Sequence, residues 1–327
     1  MKRREFIAGL GAAALPFAAR AQHNDLPRIG MLMSPSESDP ESHTRIAAFR
    51  DAMQKLGWLD GRNVRLDFRW GGGDNARIKA YAAELVELAP RLILANGTPA
   101  VAAASQVTRT IPIVFAQVMD PVGLGYIDSF ARPGRNITGF TFMDFSVVGK
   151  WLDMLKAMAP GTNRAALIHN PGTTPYWTAW LRSDEATAIS KTLRLVDRPV
   201  GTAAELEDAI AAFAREPGGS LIVPPDPFSV MHFEHSAHFA QQHRLPTISV
   251  YRKFAEVGGL AAYGPDTADV FRRSASYVDR ILKGEKPGEL PAQNPDKFEM
   301  VINLKTARAL GLEIPPALLA TADEVIE

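Results

Sequence analysis

Cysteine is absent from the chain. That excludes disulfides, thiolate nucleophiles, Cys-ligated zinc, iron–sulfur ligation and lipid attachment to an N-terminal Cys. A surplus of either charge is missing as well: 36 Lys and Arg stand against 36 Asp and Glu. Phosphate binding needs a basic excess, so the balance argues against nucleic acid as the main partner. No Gly-x-Ser-x-Gly elbow, phosphate-binding loop or His-Glu-x-x-His helix occurs. Gly71-Gly72-Gly73-Asp74 lacks the following Gly-Lys-Ser/Thr and reads as a flexible turn. His232, His235 and His238 would fan over about 120° of a helix, which reads as a solvated face rather than a metal site. An enzyme of this size needs a nucleophile–base pair or a metal set. None is visible, so no catalytic residues, cofactor or metal are expected.

What is present begins with an address. Met1-Lys2-Arg3-Arg4-Glu5-Phe6 is followed by a short Ala- and Gly-rich run and by Ala19-Arg20-Ala21. A basic start, a mildly apolar run and an Ala-x-Ala site make a secretory signal peptide over residues 1–21, cut after Ala21. The Arg3-Arg4 pair followed by Phe6 resembles a twin-arginine signal. The run is shorter than the about 20 residues that span a bilayer, and no later apolar stretch reaches that length. Gly9-Leu10-Gly11-Ala12-Ala13-Ala14 matches a loose dinucleotide fingerprint, but it lies inside the leader and is set aside.

The body alternates strand and helix. Apolar runs at 28–33, 91–95 and 111–115 and the alternating run 63–70 read as strands, with helices at 41–56, 75–89 and 98–107 between them. A second series follows: helices 145–158, 177–190, 203–214 and 229–242, strands 165–169, 193–196, 220–223 and 247–250. Strands separated by single helices imply parallel βαβ units with right-handed crossovers. At 327 residues about two domains are expected. The reading is α/β, two doubly wound parallel-sheet lobes joined by hinge crossings. An eight-fold barrel is the rival, and the extended break at 136–144 favours two domains. The first lobe is assigned 22–140 plus 264–290 and the second 141–263; the lobe of the return segment 291–327 stays open. Glycine-bearing stretches at 137–140 and 258–264 bracket the second series, where they would absorb the dihedral change of cleft closure.

Several segments carry a resemblance. Leu56-Gly57-Trp58 with Gly61-Arg62-Asn63-Val64, Asn96-Gly97-Thr98-Pro99-Ala100 and Ile111-Pro112-Ile113-Val114-Phe115 are three. Asp120-Pro121-Val122-Gly123, Ala131 to Gly139, Gly259 to Pro265 and Phe298 to Ala307 are the others. Together, from about residue 28 to the C-terminus, they resemble ABC-transporter substrate-binding proteins of the tryptophan/tyrosine type. The resemblance implies a type I periplasmic-binding-protein fold, a small-molecule ligand held between two lobes, and an ABC permease in the inner membrane as partner. A periplasmic monomer follows as the default. A receptor for a membrane sensor and, further off, an exported α/β enzyme are the alternatives.

In open parallel sheets ligands bind beyond the carboxyl ends of strands, and the loops there supply the candidates. Gly97 and Thr98 open a helix after strand 91–95 and suit an anionic end of the ligand, or else form an ordinary turn and cap. Ser36 is a second donor. Asp120 either receives a ligand ammonium or caps the turn near Val122. From the second lobe come Asn170, Asp226 within the stiff Pro224-Pro225-Asp226-Pro227, and Tyr251. Tyr176 and Trp177 are expected to form a flat apolar wall. An amino-acid-like ligand, aromatic or branched, fits this set.

Overall fold

The computed structural model describes residues 26–327 apart from residue 192. The leader expected over 1–21 lies outside the described residues. Twelve strands are formed among them: β1 (Arg28–Met33), β2 (Arg65–Trp70), β3 (Leu92–Asn96), β4 (Ile113–Val118), β5 (Ile137–Thr141), β6 (Arg164–His169), β7 (Arg194–Pro199), β8 (Gly219–Val223), β9 (Thr247–Ser249), β10 (Ala261–Pro265), β11 (Phe298–Asn303) and β12 (Glu324–Ile326).

The first five make one sheet in the order β2-β1-β3-β4-β5, every pair parallel. β3 and β4 are buried along their whole length and apolar apart from Asn96 and Gln117 near their ends, as strands must be when helices cover both faces. Helix Pro40–Lys55 sets Ile46, Phe49 and Met53 against one face, beside Phe271, Ala275 and Val278 of helix Thr267–Leu282. Helices Asn75–Glu87 and Thr98–Val107 cover the other with Ile78, Leu85, Val101 and Ala104.

The second sheet runs β12-β11-β10-β9-β8-β6-β7. Its pairs are parallel except β10 with β11, which is antiparallel. Helix Val147–Met158 buries Val148, Trp151, Leu152 and Leu155 on one side. Helix Ala203–Ala214 buries Leu206, Ile210 and Phe213 on the other.

The chain passes between the sheets three times. It leaves the first after β5, returns after β10 through helix Thr267–Leu282, and leaves again before β11. Gln293 still runs beside β5, its N–H bonded to Gly139 O at 3.0 Å, whereas residues 298–326 add β11 and β12 to the edge of the second sheet. Two expected helices are interrupted. The one over 177–190 becomes Pro175–Trp180 and Asp184–Ile189, the second capped by Ser183 Oγ, which accepts from Ala186 N–H at 3.1 Å. The one over 229–242 breaks at His232 into Pro227–Met231 and Phe233–Gln242. Among the described residues no helix is long and apolar enough to cross a membrane.

Candidate ligand-binding cleft

The carboxyl ends of β1, β3 and β4 face those of β6, β8 and β9 across a cavity of about 340 Å³, near the lower end of the about 300–1,000 Å³ usual for small-molecule sites. On the first side β3 ends at Asn96, and Gly97 turns the chain into helix Thr98–Val107 with φ +83. A Cβ at Gly97 would come 3.2 Å from Ser34 Oγ, on a backbone that L-residues rarely adopt. No side chain caps this helix, so its first N–H groups stay open beside the cavity, where they suit negative charge. Ser34 Oγ donates to Asn96 O at 2.7 Å. Asn96 Nδ2 donates to Gln117 Oε1 at 2.8 Å, and Gln117 Nε2, although buried, has no partner.

Arg45 enters from helix Pro40–Lys55. It is buried, sits 3.8 Å from Asp39 and 3.6 Å from Glu41, and lies over the Tyr251 ring at 5.9 Å.

The second side is built around Asp226, 1% exposed. Its Oδ2 accepts from Asn170 N–H at 2.6 Å, and its Oδ1 from the Thr173 hydroxyl at 2.5 Å and Phe228 N–H at 3.0 Å. Burial still raises the pKa of this carboxyl above the usual range, against the pull of those donors. Three donors leave room for one more on a carboxylate. Burial likewise pushes Tyr251 up to about 12 and Tyr176 well above an ordinary phenol. Asp226 and Tyr251 add to the rise at Tyr176, whose hydroxyl donates to Pro225 O at 3.4 Å. Thr98 of one lobe and Asp226 of the other both border the cavity with Tyr176. Met119, Phe142 and Phe233 complete an apolar wall, with the Phe142 and Tyr251 rings 5.5 Å apart. At the rim Asn75 Nδ2 donates to Gly172 O at 3.5 Å, so the lobes touch across the opening.

Residues 37–326 match the family model described as ABC transporter substrate binding protein. The chain belongs to this family. A tyrosine-binding protein of Clostridioides difficile is 27% identical over 267 residues, 81% of this chain and 76% of that one. Among solved structures, a conserved domain protein from Vibrio cholerae is 27% identical with a TM-score of 0.83, over 91% of this chain and 99% of its own. The ABC domain of a Streptococcus pneumoniae protein in complex with L-Trp has 24% identity and a TM-score of 0.83, over 92% and 100%. The fold is that of type I periplasmic binding proteins, a solute-binding architecture rather than an enzyme's.

In this substrate-binding protein, Ser36, Gly97, Thr98, Tyr176, Asp226 and Tyr251 all line the cavity. Three expected site residues stand elsewhere. Asp120 has a left-handed φ of +43 and its Oδ1 accepts from Gly123 N–H at 2.9 Å. It thus holds its own turn and borders a separate groove with Phe145 and Trp180. The Asn170 carboxamide turns back to Gly172 N–H at 2.8 Å, and only the Asn170 backbone N–H serves the site, through Asp226. Trp177 is fully buried, edge-on to Phe145 at 5.3 Å and Trp180 at 5.6 Å. Its loop begins a helix at Pro175, and that helix turns the ring into the core behind Tyr176.

Other cavity residues went unread in the sequence: Ser34, Arg45, Asn96, Gln117, Met119, Phe142, Thr173 and Phe233. Arg45 left a signal, since Ser42, Arg45, Ile46 and Phe49 occupy i, i+3, i+4 and i+7 of a buried stripe, a slot normally apolar. Gly72 and Gly73, read as a turn, also reach the rim, and Asp74 beside them caps helix Asn75–Glu87. Among the described residues no three His, Cys, Asp or Glu side chains converge as a metal site, those of helix Phe233–Gln242 included.

Proposed function

We propose that this protein captures a free amino acid with a large apolar side chain and delivers it to an ABC permease. One observation carries the reading: the open helix start at Gly97 and Thr98, suited to a carboxylate, and the buried Asp226, suited to an ammonium, line one cavity from opposite lobes. An α-amino acid carries those two charges on one carbon. The helix start at Gly97 and Thr98 suits the carboxylate. A buried Asp226 with a free acceptor position suits the ammonium, since a cation entering that site must be paired. The side chain then lies against Met119, Phe142, Phe233 and Tyr251. The relatives named for tyrosine and bound to L-Trp support an aromatic ligand. Closure follows because only a ligand touching both lobes favours the closed state, with the three chain crossings, after β5, after β10 and before β11, acting as the hinge. Export to the periplasm rests on the leader motif in residues 1–21.

The test is to express the full chain in a cell with both export routes, purify it from the periplasm and titrate it calorimetrically. The expected N-terminus is Gln22. Tyrosine, tryptophan, phenylalanine or leucine is expected to bind in the micromolar range or better. Sugars, polyols and carboxylic acids lacking an ammonium are expected not to bind. Binding of a polyol or an uncharged solute in preference to every amino acid would overturn the reading.

A further inference from the structure

Gln117 is the residue at which β4 departs from strand geometry. Its φ is +60, a region that non-glycine residues seldom occupy. The other described non-glycine residues with positive φ, Ala89, Asp120 and Arg244, lie in connecting segments, whereas Gln117 lies inside a strand. The pairing of β4 with β5 slips there, passing from Ala116 to Val118. The slip changes which side chains share a face. Ile113 and Phe115 pack into one helix layer and Val114 and Ala116 into the other. Strict alternation would send Gln117 to the side of Phe115. Instead Val118 takes that place, and the bulge expels Gln117 toward the end of the sheet, where it lines the cavity.

Its amide is also oriented. Asn96 Nδ2 lies 3.4 Å from Ala116 O and donates to Gln117 Oε1 at 2.8 Å. With Oε1 occupied, Nε2 is the free end. The residue is only 8% exposed, and Nε2 meets no protein acceptor. A buried donor without an acceptor is costly in a folded protein, and a strained backbone that maintains one marks a functional position.

We infer that Gln117 is a specificity-determining residue of the cleft, its Nε2 donating to a carboxylate oxygen of the ligand beside the Thr98 helix start. This rests on the amino-acid reading above and adds to it a basis for choosing the free acid over derivatives in which the carboxyl is uncharged. The Gln117→Glu variant keeps side-chain length and the acceptor for Asn96, but turns the free end from donor to acceptor. Wild type and variant are to be titrated with L-tyrosine and L-tryptophan and with the corresponding amides, whose NH₂ can donate. The expected result is a loss of about 30-fold or more for the acids, with the amides losing less than about 5-fold, so that preference moves toward the amide. Equal losses for acid and amide would mark a merely structural disturbance and overturn the inference, as would unchanged affinity for the acids. Wild-type protein that binds none of the four compounds would instead bring down the ligand reading, and the inference with it.

Discussion

The five-stranded lobe offers the cleft the open N–H groups of helix Thr98–Val107, the Thr98 and Ser36 hydroxyls, Gln117 Nε2, and Arg45 held between the carboxylates of Asp39 and Glu41. The seven-stranded lobe offers a buried carboxyl, two phenols with raised pKa and ring faces. Neither set alone distinguishes an amino acid from a simpler acid or amine. On the reading proposed above, split across a hinge they would, because a ligand lacking either charge would grip one lobe and give the other no reason to close. Discrimination and closure then draw on the same contacts.

The sharpest way to separate wall from site is Trp177→Ala. The ring lies behind Tyr176 in the core, and its removal is expected to cost about 3–5 kcal/mol of stability, read by urea denaturation, with affinity in the folded fraction nearly unchanged. A large affinity loss at preserved stability would return Trp177 to the cleft. Next is Asp226→Asn, expected to weaken binding by about 3 kcal/mol, or about 100-fold. The pH profile distinguishes charge from shape. Burial raises the pKa of Asp226 in the empty protein, and an ammonium beside it would lower that pKa, so binding expels a proton. Affinity should therefore rise as pH climbs from about 4 through the raised value, then level off. In the Asp226→Asn variant the profile should be flat across that window. A profile that falls with pH would break the assignment of the cation to this lobe. The smallest expected effect is Thr98→Val, about 1–2 kcal/mol in affinity for one lost hydrogen bond, with little change in the pH profile. Calorimetry on both variants thus tests whether the two lobes read different ends of the ligand.

The strand–helix rhythm was legible because buried parallel strands are unbroken apolar runs, as in Ile113 to Ala116 and Ala165 to Ile168. β11 was harder to read. It begins with half-exposed Phe298 and exposed Glu299 and runs antiparallel to β10, so neither periodicity nor the βαβ rule marks it. The helix breaks at Ser183 and His232 depend on a local cap and on packing rather than on Gly or Pro. Strand-end logic led to Gly97, Thr98, Asp226 and Tyr251, which border the cavity. It missed Gln117, because a glutamine within a strand points wherever the register sends it, and the bulge is invisible in composition. Asp120 and Trp177 failed for a common reason. Each stands near a strand end or helix start in sequence, but the local turn at Asp120 and the helix begun by Pro175 direct their side chains away.

The threefold crossing has a consequence during synthesis. The first sheet receives the last part of its cover with helix Thr267–Leu282, beside helix Pro40–Lys55, and the second sheet receives its last edge strand only at Glu324–Ile326. A chain cut short anywhere before residue 267 would have one hydrophobic face only partly covered and the other sheet missing at least two strands. Both halves therefore wait on the last quarter of the chain, the first for helix Thr267–Leu282 and the second for its two edge strands.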